Sequence, residues 1–181
     1  VRARLPRDQL ELGFRFNRAC YAYVFEPATA VWRLRFRCFY VSASLIDLDL
    51  RPVVEALTQA FVQAYVIARD DFGLHTRYAA DEVVTLWVSH TGPPRAEQHA
   101  SAPGHLFFYS AATARAPLEW LRSVAHEYGH VALPPLGGFL RADEPYATGL
   151  LGEALLLTRL AEASQTLGFS VPPPELKLLA E

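Results

Sequence analysis

"SVAHEYGHVALPP", residues 123–135, sets His126 and His130 four apart, puts Glu127 beside the first of them, and closes on Pro134 and Pro135. Residues four apart share one face of a helix, with Cβ atoms about 5–6 Å apart, so two imidazoles at this spacing can reach one ion. Glu127 projects about 100° around the helix from His126, beside such an ion rather than onto it. The helix is expected to begin at Pro117, a favoured first helical position, and to end before the double proline, which cannot continue it. Its remaining face, Leu121, Val124, Ala125, Tyr128, Val131 and Ala132, is an apolar stripe for a core.

The pattern changes upstream of this helix. "GFRFNRACYAYVFE" (13–26) and "VWRLRFRCFYVSAS" (31–44) are aromatic and β-branched runs around "PATA", the pattern of an antiparallel hairpin. Centred on Thr29, such a hairpin sets Cys20 opposite Cys38, close enough for a disulfide after modest adjustment. A bridge there implies an extracytoplasmic or secreted protein, while two buried thiols imply a cytoplasmic one. A long helix is expected from Pro52 to Gly73, with apolar residues at 53, 57, 60, 61, 64, 65 and 68. "DEVVTLWVSH" (81–90) and "GHLFFYSA" (104–111) read as strands, with the proline- and glycine-rich 91–104 between them as a loop. A last helix runs from near Pro145 to Gly168.

This order, hairpin, helix, two strands, two helices, predicts an α+β domain with a small mixed sheet packed on helices. With 181 residues, about half of them apolar, the chain is expected to form a single domain: an N-terminal hairpin (1–45), a core (46–168) and a tail (169–181). Seventeen basic against nineteen acidic residues, with no basic run, argue against a nucleic-acid partner. No stretch is apolar enough to span a membrane, and a monomer is expected. There is no methionine, so Val1 is read as a processing site or boundary, with a signal or pro-segment expected upstream.

Two histidines and a glutamate at this spacing suit zinc, which lowers the pKa of a bound water toward 7 while a neighbouring carboxylate manages its proton. Catalytic zinc usually takes three protein ligands. The variant with a third histidine six residues on is excluded, because residues 133 and 136 are both leucine. On the last helix, Tyr146, Leu150, Glu153, Leu157 and Leu160 form a seam in which Glu153 is the only charge. A carboxylate on an apolar face is costly unless paired or metal-bound, which makes Glu153 the leading third ligand, ahead of Asp143 and Glu144.

"HEYGH" followed by "GEALLL", with Glu153 twenty-three residues beyond His130, resembles the gluzincin branch of the zincin metallopeptidases. The resemblance covers about residues 105–160. It implies a zincin-like fold and a single catalytic Zn2+ held by His126, His130 and Glu153, with Glu127 as general base in the hydrolysis of peptides or unfolded proteins. It also implies that "HLFFYSA" is an edge strand aligning an extended substrate along Phe107, Phe108, Tyr109 and Ser110. Such enzymes also use a tyrosine or histidine to stabilise the oxyanion, usually well downstream. None follows Tyr146 here, so Tyr146 is the leading candidate, ahead of Tyr109, His105 and Arg141. That departure keeps an inactive zincin-fold binding module open as an alternative. An H-E-x-x-H amidase of the deformylase type ranks last, since neither cysteine lies in a fitting motif.

Overall fold

The computed structural model describes residues 16–74, 83–98, 104–134, 144–168 and 171–172. Its centre is a five-stranded mixed sheet: β1 (Arg18–Glu26), β2 (Val31–Tyr40), β3 (Val84–Val88), β4 (Ala96–Gln98) and β5 (His105–Phe108), in the order β1-β2-β3-β5-β4. The inner strands β2, β3 and β5 run parallel, while β1 and β4 are antiparallel edges. Every residue of β3 is buried, as expected of a central parallel strand covered on both faces.

Four helices accompany the sheet among the described residues: a single turn α1 (Ala43–Ile46), then α2 (Arg51–Phe72), α3 (Pro117–Ala132) and α4 (Glu144–Ala163). Helix α2 starts with proline in its first turn and stops at Gly73, whose φ of 63° is a left-handed conformation that glycine adopts at little cost. The core joins one face of the sheet to α2, α3 and α4. Phe36 and Phe108 from the strands meet Phe61 of α2, and Phe36 and Phe61 both meet Tyr128 of α3. The opposite face carries a smaller aromatic cluster, with Trp87 stacked between Phe39 and Phe107.

The hairpin forms as expected and sets Cys20 against Cys38, by a route the sequence does not show. From Glu26↔Val31 to Tyr23↔Leu34 the register would bring Cys20 opposite Arg37; a bulge between Ala22 and Tyr23 advances the pairing by one residue. The disulfide itself is not formed, and both thiols are free. Cys38 is wholly buried, and its thiol, against Thr58, is raised well above the ordinary range by that burial and by Cys20.

Two further expectations need correction. "HLFFYSA" is not an edge strand: β5 lies between β3 and β4, with Leu106, Phe107, Phe108 and Tyr109 buried. The edge is β4, three half-buried residues inside the stretch read as a loop, too short and polar to signal a strand. The seam assigned to α4 holds at Leu157 and Leu160, which are buried, but not at Leu150, which is exposed while Thr148, Gly149, Gly152 and Leu156 are buried. No described helix is long and apolar enough to cross a membrane.

Candidate metal and catalytic site

Helix α3 owes its position to the apolar stripe read from its sequence, all six residues of which are buried. With that stripe in the core, His126 and His130 emerge at its margin facing α4, and their rings meet edge-on with centroids 4.9 Å apart. One potential ligand atom from each of His126, Glu127 and His130 falls within 4.8 Å of the others. The donor set of two imidazoles and a carboxylate fits a zinc-type ion.

Helix α4 holds both rings. Glu153 Oε1 lies 2.7 Å from His126 Nδ1 and Thr148 Oγ1 lies 2.8 Å from His130 Nδ1. An ionised carboxylate only accepts, so His126 Nδ1 carries the proton in that contact and Nε2 is left as the acceptor. The Nε2 edge of the ring rests on Gly149, where any Cβ would strike it. Glu153 is half-buried and also lies 3.6 Å from the guanidinium of Arg122. His130 is held down to about 4 by burial and by the neighbouring His126, which keeps it neutral and able to donate a lone pair at neutral pH.

Glu127 is buried, with Oε2 making no hydrogen bond among the described residues. Burial, and secondarily the charge of Glu97, push its carboxyl up to about 8. Glu97 belongs to β4, where it accepts from the Tyr109 hydroxyl at 2.8 Å and pairs with Arg95 at 2.7 Å. Strand β4 packs against α3, so this edge of the sheet, which has no further strand among the described residues, borders the helix that carries the motif.

The structure thus brings together His126, Glu127 and His130, and sets Glu153 against His126 alone among them. It does not bring the remaining candidates to them: Phe107 and Phe108 are core residues, and Ser110 donates to the Gly92 carbonyl. Tyr109 is occupied with Glu97, while His105 accepts from the Trp87 indole at 2.9 Å. Tyr146 lies in the first turn of α4, but its side chain, and all of Asp143 and Arg141, fall outside the described residues, as do the side-chain details of Glu144. The sequence reading missed Thr148, Gly149 and Glu97. A signal for the first two existed in "ATGLLG", since glycines inside a helix cost stability and call for a reason. No family model, curated protein or solved structure matches the chain, so its chemistry is argued from the site alone.

Proposed function

We propose that the chain is a zinc-dependent metallopeptidase of zincin-like fold, with His126, His130 and Glu153 holding the ion and Glu127 acting as general base and acid. The observation that carries this reading is the clustering of His126, Glu127 and His130, with one ligand atom of each within 4.8 Å of the others. Zinc bound there would supply a Lewis acid and a water acidic enough to deprotonate near neutral pH.

The chain's own residues would do the rest. Thr148 would fix the His130 imidazole through Nδ1, orienting it and setting its tautomer, while Glu153 would leave His126 Nδ1 and turn onto the ion. Glu127, whose Oε2 has no competing partner among the described residues, would take a proton from the attacking water once the charge of a bound ion draws its carboxyl down from about 8, and would deliver it to the departing amine. Strand β4, not β5, offers the open backbone edge along which an extended peptide can be aligned, with alternate side chains directed toward α3.

The test is zinc content by elemental analysis together with cleavage of an unfolded protein. Wild type should carry one zinc per chain and cleave. Glu127→Gln should keep the zinc and lose roughly 10²–10⁴-fold in kcat. Glu153→Ala should lose the zinc; retention with affinity only 10–100-fold weaker, on the order expected of an outer partner, would make Glu153 an orienting residue instead. Stoichiometric zinc without cleavage would leave a binding module, and no zinc in wild type would sink the proposal.

A further inference from the structure

The chain has two cysteines, and the fold sets them side by side with unequal access. Cys20 of β1 lies directly opposite Cys38 of β2, and it does so because the bulge leaves Arg35 without a partner in the ladder and advances the register by one residue. Facing residues of an antiparallel pair hold their Cβ atoms about 4.5–5.5 Å apart, a small adjustment from the roughly 3.5–4.5 Å that a disulfide spans. Both side chains pack on the face of the sheet turned to α2, Cys38 within the core and Cys20 at its border. Cys38 is wholly buried against the Thr58 hydroxyl. Cys20 is partly exposed and opens into a groove of about 450 Å3 between β1 and α2, walled on the helix side by Thr58, Gln59, Val62 and Gln63. That volume lies within the range of small-molecule sites, roughly 300–1,000 Å3. Cys38 does not line the groove, and Thr58 stands between, touching both. The side-chain amides of Gln59 and Gln63 supply donors and acceptors for a peptide-like molecule held beside the Cys20 sulfur.

We infer that Cys20 and Cys38 are a thiol pair oxidised reversibly through this groove by a small peptide-like disulfide, with Cys20 as the entry thiol and Cys38 as the resolving one. The Cys20 thiolate attacks one sulfur of the oxidant, R–S–S–R, and displaces R–S⁻, which takes up the proton that Cys20 released. Cys38 then attacks the Cys20 sulfur and displaces the second R–S⁻, which takes the Cys38 proton. Two protein thiols and one small disulfide become one protein disulfide and two small thiols, so electrons and protons balance. The first step scales with oxidant concentration and the second does not. Excess oxidant therefore makes the mixed disulfide on Cys20 visible before the internal bond. No residue of the pair or of its groove belongs to the His126 site, so the pair stands or falls independently of the peptidase reading.

The experiment is intact-mass and peptide-mapping mass spectrometry on the folded, reduced full chain, treated with millimolar glutathione disulfide and acid-quenched over time. Wild type should first carry one glutathione on Cys20, then shed it and end two hydrogens lighter with Cys20 joined to Cys38. Dithiothreitol should restore both thiols. Cys38→Ala should stop at the Cys20 mixed disulfide. Cys20→Ala should react at Cys38 roughly a hundredfold more slowly than Cys38→Ala reacts at Cys20, and in denaturant the two rates should converge. Wild type shows the order of steps by itself, so a variant that fails to fold does not decide the test. Equal rates in the two folded variants, or glutathione appearing first on Cys38, overturn the entry order. A wild type whose internal bond never forms, or whose cysteines join two chains instead, overturns the pair.

Discussion

At the scale of single residues, the histidine–glutamate motif is legible because chemistry dictates both residue type and spacing. Its supports are not, because a threonine or glycine has many duties. Thr148 holds His130 through one hydrogen bond, and Thr148→Val keeps the shape while removing it. The variant is expected to bind zinc roughly 10–100-fold more weakly, measured by competition with a chelating dye. Glu127 carries a pH signature in the metal-free protein. Its carboxyl is raised to about 8 in the fold, so its contribution to stability is complete below the unfolded value near 4.5 and is lost as pH rises through 8. His130, held down to about 4, acts oppositely and only below its unfolded value near 6.5. Between pH 6.5 and 8 the glutamate therefore dominates the pair. Chelator-treated wild type should lose melting temperature across that window, and Glu127→Gln should lose distinctly less; parallel curves would show that Glu127 is not buried as described.

At the scale of elements, α3 and α4 cross where both helices present glycine. A Cβ on Gly152 would stand 2.5 Å from the Ala125 carbonyl oxygen and 2.6 Å from Gly129 Cα, and one on Gly129 would strike the Thr148 carbonyl. These are backbone atoms, so the helices themselves must separate. Gly152→Ala is expected to destabilise the fold by about 1–3 kcal/mol despite alanine's better helix propensity, read from chemical denaturation. Because separation also draws Thr148 and Glu153 from the histidines, zinc affinity should fall with it. Elements with long periodic patterns were legible: α2 spans Arg51–Phe72 where Pro52 and Gly73 bracket it, and the α3 stripe is buried throughout. Strand β4, three residues, two of them polar, between prolines and glycines, was not, and neither was the parallel pairing of β2 with β3, which depends on α2 carrying the chain back across the sheet, or of β3 with β5, which the segment holding β4 connects. The seam on α4 was misjudged at Leu150 because leucines surround that helix; Leu157 and Leu160 join the core as read, while Gly149 and Gly152 mark the face that meets α3.

At the scale of the whole molecule, the proposed zinc ties two helices that otherwise meet through small residues, so binding and stability are linked. Chelation should lower the melting temperature of wild type, and added zinc should restore it in proportion to the logarithm of its free concentration. Because Glu153 contacts His126 and Arg122 without any ion, Glu153→Ala should melt somewhat below wild type in chelator, and the gap should widen when zinc is present, a comparison that differential scanning calorimetry makes directly. The hairpin adds an optical consequence. Of the three tryptophans, Trp87 and Trp120 are buried, at 4% and 5% exposure, and Trp32 stands outside. Red-edge emission, and the share of fluorescence that iodide can quench, should therefore come from Trp32 alone among them. The chain has its own intrinsic fluorophore at the rim of the sheet, and steady-state emission can follow what covers that rim without any attached dye.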